Sequence, residues 1–302
     1  MTTVERINAI AEWPQVAAVI TDVRDACTQL RWHPALRRRI PEAAVESRVR
    51  GACASAELDG SRADPTVVRH WLCAGLPEHP ADPAEDLLVG AVRATVESAH
   101  LSTAVRRTPA LLLSRLHLAA VGTSVPTDQA GRPRTGTQNC AELTMIGPAL
   151  PAEQVASRLA GITELLTDSR LSATVVAALV HAELATVRPF VRGNAVVARA
   201  VERAFLTASG IDPTGVSVPE VGWAVIGAGE YGAALRAYAE GSVAGMEQWI
   251  QTWAEAMLIG TREGTRIADA VRAGRLTAPE HVSAAGTFAH SGKLSKKSHD
   301  PM

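Results

Sequence analysis

Segments with apolar residues at helical spacing follow one another along almost the whole chain, and several open on proline. The pattern runs through 16–30, 41–58, 83–101, 109–120, 151–168, 172–187 and 194–209, and at least two more helices are expected between 228 and 273. Pro41, Pro83, Pro109 and Pro151 stand at openings, where a first helical turn does not need the N–H that proline lacks. Aromatic residues make up only 4% of the 302 residues while alanine, leucine and valine abound, a mix that favours tightly packed helices over a twisted sheet. With 47% hydrophobic residues the chain can fill a sizeable core, so the expected fold class is mostly α. One stretch reads differently: in 121–147 short Thr- and Val-containing runs alternate with Gly/Pro turns, as in a small β-hairpin.

Thirty basic residues stand against thirty-one acidic ones, so no global field draws the chain to nucleic acid or an anionic membrane, and neither is an expected partner. The N-terminus has no continuous apolar run and no segment approaches the ~20 apolar residues that span a bilayer, so the expected location is the cytoplasm. Cys27, Cys53, Cys73 and Cys140 form no CxxC pair and are read as buried thiols, with no metal expected among them. All three lysines, Lys293, Lys296 and Lys297, fall in the last ten residues, and 276–302 is expected to be a disordered tail.

The most informative stretch is HAELATVRPFVRGNAVVARAVERAF, residues 181–205. A residue before proline avoids the α conformation, so the helix from 172 should stop at Arg188. Asn194 reads as an N-cap for the next helix, and Gly210 with Pro213 ends it. A glycine leading into a helix N-terminus offers free N–H groups and the positive end of the dipole, an anion site whose natural guest is phosphate. Arg188 and Arg192 flank it and could fork to oxyanions, with Gly193, Asn194 and Ala195 supplying the backbone. The alternative is two solvated arginines paired with nearby acids.

These residues resemble the Fic family, whose motif reads HPFxxGNGRxxR with an acid in its second variable position. Pro189, Phe190, Gly193, Asn194 and Arg199 match, whereas Arg188, Arg192, Ala195 and Val196 replace the histidine, the acid, the second glycine and the first arginine. Upstream, Ser55-Ala56-Glu57-Leu58-Asp59-Gly60 resembles the family's inhibitory helix [ST]xxxE[GN] with aspartate for glutamate, which implies that Asp59 pairs with Arg199. Two ordinary readings stand beside this one: Gly60 as a helix C-terminus, and Arg199 paired with Glu202 on its own helix. The segment Gly131–Gln138, with Arg134 and Thr135, resembles the family's flap, which implies a hairpin edge where an extended protein segment could dock. The resemblance covers about 45–260 and implies an N-terminal helical region at 1–80 carrying the inhibitory-like helix. A Fic-like core with its following helices would span 81–275.

What the family does, the residues here resist. The motif histidine takes a proton from a target hydroxyl during protein AMPylation, and a guanidinium with a pKa above ~12 has no basic form at neutral pH. The family's acid holds Mg²⁺, which needs hard oxygen ligands, and Arg192 repels a cation, so neither Mg²⁺ nor another cofactor is expected. The resemblance therefore implies a pseudoenzyme or a metal-independent binder or transferase of a phosphate-containing ligand. Residual AMPylation by an unidentified base is the alternative. His181, seven residues before Arg188 on the same helix face, is the candidate base, against the plainer reading of a packed histidine. A further alternative is an NAD-dependent oxidoreductase, since Gly227-Ala228-Gly229-Glu230-Tyr231-Gly232 matches GxGxxG. That fingerprint needs flanking strands, whereas SVAGMEQWIQTWAEAMLIG reads as helix.

Overall fold

The computed structural model describes residues 2–276, so the expected tail, Leu276 apart, lies outside the described residues. The described chain folds into twelve α-helices and three short 3₁₀ turns, without a strand. In order these are α1 (Thr3–Ile10), α2 (Pro14–Arg31), α3 (Ile40–Leu58), α4 (Pro65–Ala74), α5 (Pro83–His100), α6 (Pro109–Val121), α7 (Ala152–Thr167), α8 (Ala173–Val187), α9 (Asn194–Ser209), α10 (Pro219–Ile226), α11 (Ala228–Ala239) and α12 (Val243–Arg272). The expected helices appear with ends shifted by a residue or two. Three more join them: α1, closed by a Thr2–Glu5 capping box, and the proline-opened α4 and α10.

The centre of the molecule is the α8–α9 pair. Most of α8 is buried, as expected of a helix apolar around most of its circumference, and nearly all of α9 is buried although it carries Asn194, Arg199, Glu202 and Arg203. Helices α5 and α6 pack on α9, α7 and α11 on α8, and the long α12 packs against α2, α3, α8, α10 and α11. The α5–α6 contact is close because Gly90 has no side chain: a Cβ there would lie 2.1 Å from the Ala120 carbonyl oxygen.

His181 lies in this core, fully buried. Its Nδ1 faces Glu202 at 2.6 Å and its Nε2 faces the Tyr231 hydroxyl at 2.8 Å, while Glu202 also accepts from Trp253 Nε1 at 2.5 Å. Trp223 and Trp249 pack edge-on to its ring. It is a packed residue, remote from solvent. Glu202 is consumed in the same network, and no pairing with Arg199 forms.

Three further expectations are corrected. The stretch 121–147 forms no hairpin and is largely irregular, with a 3₁₀ turn at Thr144–Ile146: Pro126 and Pro133 remove ladder donors, and Gly131, Gly136 and Gly147 turn the backbone at positive φ. Residues Gly227–Gly232 follow no strand, because Ala228–Ala239 is helix, so the dinucleotide fingerprint has no nucleotide-binding turn to belong to. Cys73 is exposed because α4 buries only Val68, whereas Cys27, Cys53 and Cys140 are buried. Among the described residues no helix is long and apolar enough to cross a membrane.

Candidate functional site

Backbone geometry sets the two ends of the loop 188–193 between α8 and α9. Arg188 closes α8 in the left-handed region at φ 48°, ahead of Pro189. Gly193 then enters α9 at φ 80°, and a Cβ on it would come within 2.9 Å of Val121. Asn194 is the first residue of α9 rather than its N-cap. Its side-chain oxygen accepts from Phe190 N at 2.8 Å and its Nδ2 donates to Phe190 O at 2.9 Å, so the side chain ties the loop to itself.

The N-terminus of α9 holds an anion, and the anion belongs to the chain. Gly193 N donates to Glu142 Oε1 at 2.6 Å, while Asn194 N and Asn194 Nδ2 donate to Oε2 at 2.9 and 3.1 Å. A carboxylate gripped by consecutive N–H groups at a positive dipole end is the contact expected of an oxyanion site. Sequence reasoning did not find Glu142. The available signal was that it is the lone acid between Asp128 and Glu153.

Arg188 stands elsewhere than expected. It is 2% exposed, and its guanidinium donates to the carbonyls of Glu142, Leu143, Gly147 and Pro148 at 2.6–3.3 Å and to Thr186 O at 3.4 Å. Burial lowers its pKa, yet no carboxylate neutralises it directly; carbonyl dipoles do. It is a clamp on the segment 142–148 with no donor left for a ligand. Arg192 fits the plainer reading: its side chain is 38% exposed and lies 3.8 Å from Asp86.

Arg199, near the start of α9, is 2% exposed and reaches α3. Its Nε donates to Ser55 Oγ at 2.8 Å, and Nη2 donates to Ser55 O at 3.1 Å and Asp59 Oδ2 at 2.5 Å. Burial works to lower its pKa, and the neighbouring Asp59 carboxylate more than reverses this. Nη1 is buried without an acceptor. Gly60, at φ 94°, lies just beyond the α3 C-terminus, so the C-terminus reading and the Asp59–Arg199 contact hold together.

The flap residues are tied down as well. Arg134 N donates to Pro189 O at 2.7 Å, and its buried guanidinium donates to the carbonyls of Arg188, Gln138, Leu150 and Val187. Thr135 N is turned onto Gln138 Oε1, and Gly131 N donates to His117 Nδ1 at 2.8 Å. Residues 131–138 form no strand edge. His117, also missed in the sequence, joins the two loops: its Nε2 donates to Arg192 O at 3.0 Å while its ring stacks on Phe190 at 3.9 Å. Burial drives its pKa down to about 4.

Between these elements lies a cleft of about 380 Å³, lined by Asp59, Asp86, Glu142, Arg192, Ala195 and Val196 among others. In this architecture the loop between two central helices binds a carboxylate of the chain itself, and Asp59 at the end of α3 lines the same cleft. Solved structures specify it further. Fic-1 of C. elegans aligns over 86% of this chain and 75% of its own, at 20% identity and a TM-score of 0.61. A Fic family protein from Desulfovibrio desulfuricans aligns over 84% and 75%, at 16% identity and a TM-score of 0.66. A Fic domain containing signaling protein from Bacteroides thetaiotaomicron aligns over 84% and 97%, at 13% identity and a TM-score of 0.58. No protein-family model and no curated protein matches the sequence. At these identities the likeness establishes one thing: the chain has the Fic fold.

Proposed function

We propose that this chain is a Fic-fold pseudoenzyme that has given up Mg²⁺-dependent nucleotidyl transfer and keeps a metal-independent cradle for the oxyanion of a phosphate-containing ligand. The observation that supports this reading is the Glu142 carboxylate on the Gly193 and Asn194 amides, an oxyanion held at a helix N-terminus with backbone N–H groups as its donors.

The chemistry of the neighbours supports the loss of transfer. The proton-accepting position holds Arg188, whose guanidinium is committed to five carbonyls. The cleft carboxylates that could replace it are engaged: Asp59 by Arg199 and Glu142 by backbone amides. The residues do not fit Mg²⁺ either. Arg192 stands where the family has its ligand, the cleft acids are directed at Arg199, Arg192 and N–H groups, and no group of three or more acidic, His or Cys residues is arranged for a metal among the described residues.

Incubation with α-labelled ATP and Mg²⁺ tests the reading. The expected result is no label on the protein or on partners. Label that is lost in Arg199→Ala and increased in Asp59→Ala would establish residual AMPylation and sink the proposal. The combined variant Arg188→His, Arg192→Asp, Ala195→Gly and Val196→Arg is expected to regain Mg²⁺-dependent transfer.

A further inference from the structure

The segment 142–148 is held shut from two sides. Glu142 reaches the α9 amides, and the Arg188 guanidinium, set beneath the segment by the end of α8, accepts no anion and instead grips four of its carbonyls. The backbone does not favour this arrangement by itself. Leu143 sits at φ 51°, where a Cβ crowds the following carbonyl, so contacts hold the segment closed. Asp59 lies close enough to Glu142 that the two negative charges repel each other, which works against closure. The segment therefore has opposing tendencies: charge-assisted bonds to amides and a buried clamp on one side, strain and like-charge repulsion on the other.

We propose that Glu142 is an internal competitor for the oxyanion cradle: a phosphate-bearing ligand binds only as the carboxylate leaves, with segment 142–148 moving out, and Arg188 positions that carboxylate rather than contacting the ligand. This rests on the reading that the cradle accepts a phosphate oxyanion. The inhibitory-like contact of Asp59 with Arg199 is a separate lock, built from α3 and directed at a different part of α9. The site then has two intrachain carboxylates, one on the amides and one on the guanidinium, and the first shares its binding mode with a phosphate group.

The test is an amide-resolved NMR titration of the full chain with inorganic phosphate and, separately, AMP, using wild type, Glu142→Gln and Glu142→Ala, with hydrogen exchange of the Gly193 and Asn194 amides measured in wild type. Glu142→Gln keeps the shape of the side chain and removes the charge. The expected result is slow exchange of both amides in wild type and phosphate affinity raised about ten-fold or more in the variants, the order expected when a charge-assisted contact no longer competes. Perturbations should centre on residues 193–195. Equal affinity in wild type and variants overturns the competitor role while leaving the cradle intact as a ligand site. Absence of binding of either probe to every form, with slow exchange in wild type, overturns the cradle reading and this inference with it. Fast exchange of both amides in wild type overturns the contact itself.

Discussion

Replacing Asp59 removes the countercharge of a guanidinium that has almost no access to water. Arg199 is 2% exposed, its other acceptors are the neutral Ser55 hydroxyl and carbonyl, and Nη1 already lacks a partner. Breaking one side of a buried pair costs about 3–5 kcal/mol because the remaining charge stays desolvated. Here Asp59 is 19% exposed, which lets water take part of its place, so Asp59→Ala should destabilise by about 3 kcal/mol. Asp59→Asn, which keeps an acceptor and loses only the charge, should cost about 2 kcal/mol. Arg199→Met removes the buried charge and leaves an acid that water can reach, so its cost should be smaller, about 1–2 kcal/mol. Urea denaturation at pH 7 of wild type, Asp59→Ala, Arg199→Met and the double variant closes a cycle, whose coupling should be about 2 kcal/mol. Strict additivity, or an Asp59→Ala cost below about 1 kcal/mol, would refute the claim that this pair locks α3 to α9.

Other consequences are equally measurable. His117, neutral because Gly131 N donates to its Nδ1, has a pKa depressed by burial from 6.5 to about 4. The unfolded chain takes up that proton first, so stability falls as pH drops through 6.5 and levels off below 4. The loss is about 3 kcal/mol, and denaturation midpoints of His117→Gln should lack it. A parallel decline in wild type and variant would exclude His117 as its source. Gly90→Ala sets a Cβ 2.1 Å from the Ala120 carbonyl, which forces α5 and α6 apart at a cost of about 3 kcal/mol, read as a lowered melting temperature. Gly193→Ala strains the loop at φ 80° and presses on Val121, so it should lower both stability and any phosphate affinity. An unchanged melting temperature in either glycine variant would contradict the close approaches.

Most helices were legible because their signals are local. Pro83 after Asp82 shows in the residues alone, and so does the apolar circumference of α8. Helices α4 and α10 carried the same proline signal in segments of ten and eight residues, which give the pattern little room to repeat. The region 121–147 failed for the opposite reason. Its Thr/Val runs have strand character, but its shape is fixed by Arg134 within it, which ties it to the carbonyls of Arg188 and Leu150, and by the distant Arg188, which binds the carbonyls of Glu142 and Gly147. Sequence chemistry pointed to the backbone of Gly193 and Asn194, and the partner those amides take could not be named, because Glu142 lies fifty-one residues away and arrives there by tertiary folding. Arg188 misled for a related reason: a cation beside an anion site looks like a ligand contact until the carbonyls that surround it are known.

The arrangement of charge around α9 ties these observations together. A helix N-terminus attracts one negative group, and a buried arginine one turn further on attracts another; the chain supplies both, from segment 142–148 and from α3. Arg188 makes the first possible, since only a group with several donors in a fixed fork can hold four carbonyls of one segment at once. A histidine at that position would present at most two polar atoms and would release most of those carbonyls. The same guanidinium thus holds the carbonyls of segment 142–148 and, through them, the chain that carries Glu142 to the amides of Gly193 and Asn194.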